Sequence, residues 1–356
     1  MPFQSLSTGR RLPCARKRPE DVIRQSGPPL DLCFAVGLIS RDCLHFLVAK
    51  PLFIFIGIVT LLVPALAGAD SAETALKSKS PFKDFTLSQV ADGQVLESRQ
   101  GSSLSTQIEA VQTCFVIKAS PDAVAARILS WNPAGKSGLD VSKHQALSSS
   151  AGSDAFEKTL ATFFKSSDDD ANWIATQSKN AKDSSCELLL TSAEKNNLAA
   201  ASTPAKLTSA WATLLANRFS GFRDHGAPDF NSLRSAVKKL GTGEIPSPSD
   251  AVYYWEVGDV SNRGKLSEGV SWSDSSGPLR VFDGEFFVTS EYTASLNVST
   301  LWPVTVNGKT ATLVWRVDSA FSNQFTDQGG AERIASSGLI LASTKKTVEA
   351  LQQGDK

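Results

Sequence analysis

The sequence predicts an α+β protein in which an antiparallel β-sheet packs on a long C-terminal helix and carries a helical insertion. After Ala251, apolar and polar residues alternate in several runs that turn residues separate, which is the period of half-buried strands. From Gly329 to Gln353, apolar residues recur at helical spacing. Between residues 140 and 245, the chain is rich in Ala, Ser, Lys and Asp, and its apolar residues, such as Phe156, Leu160 and Phe163, recur at helical spacing as well. These three observations set the fold class.

Residues 48–69 contain the parts of a secretory signal peptide. Lys50 is the basic element, Leu52 to Val63 is the apolar run, and Ala67 to Ala69 provides a small-x-small cleavage site. We expect cleavage after Ala69 and export to the periplasm or the outside of a bacterial cell. The apolar run is shorter than the roughly 20 residues that span a bilayer, so no stable membrane span is expected after cleavage. An uncleaved N-terminal anchor is the alternative.

Residues 1–47 precede this signal and show no helical or strand period. Met1 is the only methionine of the chain. No methionine codon therefore lies near the signal, and a gene model that begins with methionine has to start 47 residues upstream of Val48. We therefore expect translation to begin near Val48 and residues 1–47 to be a mis-assigned N-terminal extension.

The charge balance argues against nucleic acid as a partner. The whole chain has a formal net charge of zero, and the segment before the cleavage site takes away more basic than acidic residues. The exported chain is then mildly acidic, whereas nucleic-acid binding requires a basic face.

Two of the five cysteines, Cys114 and Cys186, follow the predicted cleavage site. A pair of cysteines in an exported chain is more often a disulfide than a metal site. We therefore expect a Cys114–Cys186 disulfide, with two buried free thiols as the alternative.

Residues 70–110 are rich in Ser, Lys, Gln and Gly and are predicted to be a flexible leader with one strand at most. A domain is then expected over residues 111–352. It begins with a strand at Cys114 to Lys118 and a helix that Ser120 caps and Pro121 opens. The helical insertion follows at about residues 140–245.

The region after Ala251 contains two clear local signals, a hairpin turn between two strands and the C-terminal helix. "VNGK", residues 306–309, is typical of a two-residue hairpin turn. In the C-terminal helix, near-heptad spacing joins Ala331, Ile334, Gly338, Leu341, Val348 and Leu351. We expect this stripe to face the sheet.

Two stretches carry a resemblance to a known superfamily: "FVIKASPDAVAARILSW" at the front, and "ATLVWRVDSAF" with "GGAERIASSGLILASTKKTVEAL" at the back. In pattern, the chain resembles the START and Bet v 1-like superfamily, whose fold is the helix-grip. The resemblance implies a curved sheet around the C-terminal helix, with an apolar cavity between them for lipids or other hydrophobic ligands. The helical block departs from the compact family layout. The competing architecture is a C-terminal β-sandwich with a separate helical domain.

Enzyme motifs with a defined mechanism are missing after the signal. No G-x-S-x-G, H-E-x-x-H or C-x-x-C occurs there, and we expect neither a metal nor a cofactor. Polar residues inside apolar strands are the remaining candidates, namely Glu256, Glu285, Glu291 and Arg316. Such residues usually point to water.

If the sheet instead encloses a cavity, alternation places Trp315 and Arg316 on opposite faces, so only one of them can line it. An inward Arg316 would hold a ligand carboxylate or phosphate. The predicted ligand-binding residues are Trp315, Arg316, Glu256, Ile334, Gly338 and Leu341.

The sequence thus predicts an exported soluble protein that binds a hydrophobic small molecule or lipid without transforming it. One alternative is a secreted or periplasmic hydrolase that uses strand carboxylates such as Glu256 and Asp259. Another is a surface module that binds a protein partner through the helical block.

Overall fold

A computed structural model describes residues 67–166, 168–225, 228–259, 263–289 and 292–354. All of them belong to one of the two units of the chain, Leu62–Lys356. The predicted extension over residues 1–47 and nearly all of the signal over residues 48–69 lie outside the described residues, as does Glu291.

The described residues form eight α-helices and nine strands. The helices are α1 (Ala67–Lys79), α2 (Pro121–Leu129), α3 (Asp154–Phe163), α4 (Asp169–Lys179), α5 (Ser192–Ala199), α6 (Pro204–His225), α7 (Pro228–Val237) and α8 (Gly330–Gln353). The strands are β1 (Leu96–Ser98), β2 (Ser103–Ser105), β3 (Ile108–Ile117), β4 (Val141–Leu147), β5 (Val252–Asp259), β6 (Gly264–Asp274), β7 (Leu279–Phe287), β8 (Ala294–Val306) and β9 (Lys309–Phe321).

All nine strands of the described residues pair antiparallel in one sheet, in the order β1-β3-β9-β8-β7-β6-β5-β4, with β2 also on β3. The α+β class, the antiparallel sheet and the C-terminal helix are confirmed. The sheet is continuous, and the helical block packs on it. The alternative of a β-sandwich beside a separate helical domain is therefore wrong for the described residues.

The sheet is covered on both faces. Helices α1 and α7 and the block α3 to α6 cover one face, which we call the helical face. Helices α2 and α8 lie over the other, which we call the cavity face. Side chains alternate between them: Leu313 and Trp315 belong to the core of the helical face, and Val314 belongs to the core under α2 and α8.

The structure corrects the prediction of a flexible leader over residues 70–110. Ala72 and Leu76, four positions apart in α1, are both buried in the core of the helical face. Strands β1 and β2 extend the sheet at its β3 edge. The segment has few apolar residues among many polar ones, so its sequence shows too weak a hydrophobic period to predict these elements. Both buried residues of α1 follow the predicted cleavage site.

The insertion contains a strand that the sequence did not predict. β4 pairs with β5 at the edge of the sheet, and the predicted helices follow it. Their core, which includes Leu160, Trp211 and Phe219, packs on Trp255 of β5. The indole nitrogen of Trp211 donates a hydrogen bond of 2.8 Å to Ser178 Oγ.

Two local predictions are confirmed. The side chain of Ser120 accepts a hydrogen bond from Ala123 N and caps α2, with Pro121 in its first turn. Asn307 and Gly308, between β8 and β9, have φ angles of 51° and 73°, the left-handed pair that a type I′ hairpin turn requires.

The predicted disulfide does not form, because both cysteines are free. Cys114 is buried in the core of the helical face, whereas Cys186 packs beside the separate core of the helical block. Sequence context could not reveal this separation, since it depends on which helices cover which part of the sheet. Among the described helices, none has both the length and the apolar character needed to cross a membrane.

Candidate functional site

A cavity of about 930 Å³ lies between the cavity face of the sheet and α8. Strands β4 to β9 form its floor, and α8 with the end of α2 and the following loop forms its wall. The apolar residues of that wall are Ile128, Leu129, Trp131, Leu339, Ile340 and Leu351.

Helix α8 crosses the cavity because it is held at its two ends. Near its start, Arg333 Nε donates to Glu109 Oε1 at 2.5 Å. Near its end, Arg127 Nη1 donates to Leu351 O at 2.9 Å, and Gln352 Nε2 donates to Val116 O at 3.1 Å. Between these anchors, the turns around Ile340 and Thr344 face the cavity.

The predicted face of α8 is confirmed only near its C-terminal end, where Val348 and Leu351 are buried against the sheet. Ile334 is 62% exposed. A side chain at Gly338 would come nearest to Arg99 Nη1, at 3.8 Å from the added Cβ. Leu341 is half-buried and, like Ile334 and Gly338, does not line the cavity. Apolar spacing missed the lining face because that face carries small polar residues, Ser343, Thr344 and Thr347.

Trp315 and Arg316 lie on opposite faces of β9, as alternation requires. Trp315 packs in the core of the helical face, where its indole nitrogen donates to Gln112 Oε1 at 3.0 Å. It does not line this cavity, and it contributes instead to a smaller pocket of about 190 Å³ on the other face. Arg316 and Glu256 do line the cavity.

The floor is polar, and its side chains come in pairs two positions apart. Because residues i and i+2 of a strand share a face, four of the five neighbouring strands each present one such pair to the cavity. The pairs are Tyr254 and Glu256 on β5, Asp283 and Glu285 on β7, Ser295 and Asn297 on β8, and Arg316 and Asp318 on β9. On β6, the same face presents Lys265 and Ser271 to the cavity, six positions apart.

One half of the floor is an ion cluster centred on Lys265. Its Nζ lies 3.1 Å from Glu256 Oε2 and 2.5 Å from Glu285 Oε1. His144 Nδ1 of β4 lies 3.0 Å from the other oxygen of Glu256. Ser267 Oγ donates to Glu285 Oε1 at 2.5 Å. A single ammonium therefore bridges two carboxyl groups from the strands on either side of β6.

The other half of the floor joins Asp283 to the Arg316–Asp318 pair. Tyr254 OH and Ser271 Oγ each donate to Asp283 Oδ1 at 2.7 Å. Arg316 donates to both oxygens of Asp318, with Nη2 at 2.6 Å from Oδ1 and Nε at 2.9 Å from Oδ2. In the amide orientation that satisfies both groups, Asn297 accepts from Arg316 at 3.2 Å and donates to Asp318 at 2.9 Å.

Burial and pairing set the protonation of this floor. Burial alone would raise the pKa of Glu256, but Lys265 and His144 outweigh it and the pKa is lowered. Burial raises the pKa of Glu285 to about 7, against the opposing effect of Lys265, and also raises that of Asp283. The pKa of Lys265 is raised, because Glu285 and Glu256 outweigh the effect of burial. Lys265 thus stays an ammonium and is not a nucleophile.

Glu256 and Arg316 were found from sequence, whereas Lys265, Asp283, Asp318, Tyr254 and His144 were missed. The expectation that polar residues inside strands point to water is wrong for Glu256, Glu285 and Arg316, which all line the cavity. The signal that could have found the floor is the recurrence of a polar pair at i and i+2 in successive strands.

Comparison with protein-family models, with curated proteins and with solved structures found no match. A function is therefore inferred from the geometry of the cavity alone.

Proposed function

We propose that this protein binds a hydrophobic small molecule or lipid with one polar group in the cavity under α8, without transforming it. The observation that carries the proposal is the contrast between the two sides of the cavity. The large apolar side chains Ile128, Ile340 and Leu351 lie on the helical wall beside small polar ones, whereas the paired charged side chains lie on the sheet floor. A ligand with an apolar body and a polar end matches both surfaces at once.

The size and lining of the cavity suit such a ligand. Its volume of about 930 Å³ lies near the upper end of small-molecule sites, which typically span about 300 to 1,000 Å³. An alkyl or ring system against Ile128, Ile340 and Leu351 would gain about 0.8 kcal/mol for each buried CH₂ group.

The margin of the cavity offers an apolar route for the ligand. Leu339 on α8 is 63% exposed, and Val252 at the start of β5 is also exposed. Both belong to the cavity lining. Exposed large apolar side chains that cluster at a cavity are typical of ligand- or membrane-facing openings.

We also propose that the layout is that of the helix-grip, as the resemblance to the START and Bet v 1-like superfamily implies. Support comes from a cavity enclosed by an antiparallel sheet and a C-terminal helix. The helices α3 to α6 are additional to that layout. Export remains a proposal that rests on residues 48–69.

A matched pair of α8 variants tests the binding site. Ile340 lines the cavity and its neighbour Leu341 does not. Ile340→Trp adds volume inside the cavity, whereas Leu341→Trp adds the same kind of side chain outside it. Native mass spectrometry of each purified variant, beside wild type, would measure how much ligand co-purifies.

We expect wild type and Leu341→Trp to carry a small molecule, and Ile340→Trp to lose most of it while keeping its fold by circular dichroism. Equal ligand content in the two variants would contradict the proposal. So would wild-type protein that binds no amphipathic molecule when challenged with an excess of one.

A second candidate is hydrolysis by two carboxyl groups of the floor. Glu256 has a lowered pKa and Glu285 a pKa raised to about 7, and such a division is typical of paired base and acid groups. Both residues predicted for this alternative, Glu256 and Asp259, line the cavity, and Asp259 also hydrogen-bonds to Asp170 of α4. A panel of chromogenic esters and glycosides tests it: turnover by wild type that Glu285→Gln abolishes would favour the enzyme.

A further inference from the structure

We infer that the polar group of the ligand is a cation that donates hydrogen bonds, such as a primary ammonium. The inference rests on the proposed function and names the ligand class of the same cavity. It follows from the charge balance and the accessibility of the floor.

Carboxyl groups outnumber fixed cations on the floor. Five carboxyl groups line the cavity from the sheet, against two cations of the sheet and one of α8. The carboxyl groups are Glu256, Asp259, Asp283, Glu285 and Asp318, and the cations are Lys265, Arg316 and Lys346. His144 adds at most one positive charge, and its Nδ1 is already bonded to Glu256. With every carboxyl group ionised, the floor has a surplus of negative charge, and such a site favours a cationic ligand.

Glu285 and Asp283 are the more accessible charged groups of the floor, whereas Glu256 and Asp318 are as buried as the two cations. Lys265 and Arg316 keep only 9% and 7% of their side-chain surface accessible, against 15% for Glu285. Asp283 is likewise only half-buried. Because Glu285 and Asp283 line the cavity, a ligand that reaches the floor meets carboxyl oxygens before it meets the ammonium or the guanidinium.

The two fixed cations are also already paired. Lys265 Nζ lies between Glu256 and Glu285, and the guanidinium of Arg316 donates hydrogen bonds to both oxygens of Asp318. An anionic group that reaches the floor, beyond the exposed Lys346 of α8, would have to displace a buried carboxylate from one of them. Leaving that carboxylate unpaired in a low-dielectric site is costly. The predicted role of Arg316 as an anchor for a carboxylate or phosphate is therefore replaced by an acidic anchor for a cation.

Aromatic rings around the floor strengthen the same preference. Tyr254, Phe287, Tyr292 and, at the wall, Trp131 all line the cavity. The faces of such rings attract cations, by roughly 0.5 to 2 kcal/mol depending on desolvation. The pattern already occurs within the chain, since Lys265 Nζ lies 5.1 Å from the ring centre of Phe287 and Lys136 Nζ 4.9 Å from that of Trp131.

The surroundings of Glu285 raise its pKa, so its carboxyl group holds a proton that a bound cation can displace. Ser267 of β6 donates a hydrogen bond to this carboxyl group. The charged and titratable groups that line the same cavity are His144 of β4, Tyr254, Glu256 and Asp259 of β5, Lys265 of β6, Asp283 of its own strand, Arg316 and Asp318 of β9, and Lys346 of α8. Without a ligand cation, Glu285 stays partly protonated at neutral pH. An added ammonium would favour its ionised form, so binding should release protons.

Three probes of equal chain length test the inference: decylamine, decanol and decanoate, each below its micelle concentration. Isothermal titration calorimetry on wild type, Glu285→Gln, Asp283→Asn and the control Glu97→Gln would compare their affinities. Glu97 lies on β1 outside the cavity. Repeating the amine titration in two buffers of different ionisation enthalpy measures proton release.

We expect wild type to bind decylamine at least about tenfold more tightly than decanol, with decanoate weakest. Glu285→Gln and Asp283→Asn should lose this preference while still binding decanol, and Glu97→Gln should retain it. Decanoate binding as tightly as decylamine, or equal binding of all three, would overturn the cation inference and leave the proposed function standing. Failure of all three probes to bind wild type would overturn both. The wild-type comparison decides the question even if a variant does not fold.

Discussion

Arg316 and Asp318, two residues apart on β9, form a forked ion pair inside the molecule, with Nη2 2.6 Å from Oδ1. Their side chains retain only 7% and 8% of their accessible surface. Taking both charges of such a pair out of water costs free energy. Removing one partner is strongly destabilising, because the other charge is then buried and unpaired. The pair is best understood as one structural unit of the cavity floor.

This unit should show strong coupling between its members. Arg316→Met alone leaves Asp318 buried and unpaired, and we expect it to lower the free energy of unfolding by about 3 to 5 kcal/mol. The double variant Arg316→Met, Asp318→Leu removes both charges and should cost much less than the sum of the single variants. Denaturant unfolding of the four proteins in the cycle measures the coupling. Additive effects would contradict the prediction.

Glu268 should make the stability of the protein fall as pH rises. It is buried on the helical face of β6, its Oε1 has no hydrogen-bond partner among the described residues, and burial raises its pKa well above the usual value, which Arg218 offsets only in part. The unfolded chain loses this proton near pH 4.3, while the folded chain keeps it. Stability is therefore full below that pH and is lost as pH rises, by up to about 1.4 kcal/mol per pH unit.

Glu268→Gln cannot ionise, so its free energy of unfolding should exceed that of wild type by an amount that grows as pH rises above the unfolded-state pKa of about 4.3. Urea unfolding at several pH values measures the difference. Glu157→Gln on the exposed surface of α3 is the matched control and should follow wild type. Parallel pH profiles for wild type and Glu268→Gln would show that Glu268 is ionised in the folded protein.

The two cysteines should differ in reactivity. Cys114 is fully buried, and burial raises the pKa of its thiol, so its thiolate is strongly disfavoured. Cys186 is only partly buried. In the folded protein, we expect a maleimide to label Cys186 and to reach Cys114 only after denaturation. Peptide mapping identifies the labelled residue, and a Cys114–Cys186 disulfide found in that experiment would contradict the structure.

Gly269 makes room for Tyr254 on the cavity floor. A Cβ atom at Gly269 would lie 2.0 Å from Tyr254 Cζ, and Tyr254 OH donates to Asp283. Gly269→Ala should displace the ring, break that hydrogen bond and cost about 1 to 3 kcal/mol of stability. Because the displaced ring moves toward the cavity, ligand affinity should fall as well.

Thermal unfolding and ligand titration of Gly269→Ala check both effects. Gly277→Ala is the control, since a Cβ atom there meets no atom within 4 Å, and it should leave both measurements near wild type. Tyr254→Phe keeps the ring but loses the hydroxyl, and we expect a smaller loss of about 1 kcal/mol. Wild-type behaviour of Gly269→Ala would mean that the ring can shift without cost.

The parts of the fold that sequence predicted correctly are long and strongly periodic. Strand β9 alternates over its whole length, and α8 combines a helical period with the boundary signal of Gly329. The missed elements β1, β2 and β4 are short or polar and lie along the edges of the sheet. An edge strand has few apolar residues to bury, so its period is weak.

The site was harder to predict, because it depends on what covers each face of the sheet. Alternation correctly separated Trp315 from Arg316, but it could not say which of them faces the cavity. Helices α1 and α7 decide that, because the core that they form with the sheet contains Trp315. On α8, Ile334 was chosen for its apolar character, whereas the cavity is lined by residues such as Thr344 that no hydropathy pattern selects.

The separation of aromatic and charged residues on the two faces of the sheet also limits how the chain can vary and fold. A slip of one residue in β5 to β9 would carry Glu256, Lys265 and Arg316 into the aromatic core and expose Trp255, Trp272 and Trp315 to the cavity. Single-residue insertions or deletions within these strands should therefore be far less tolerated than in the turns. Misregistered pairings also bury little apolar surface during folding, so the native register is favoured over pairings that are one residue out of register.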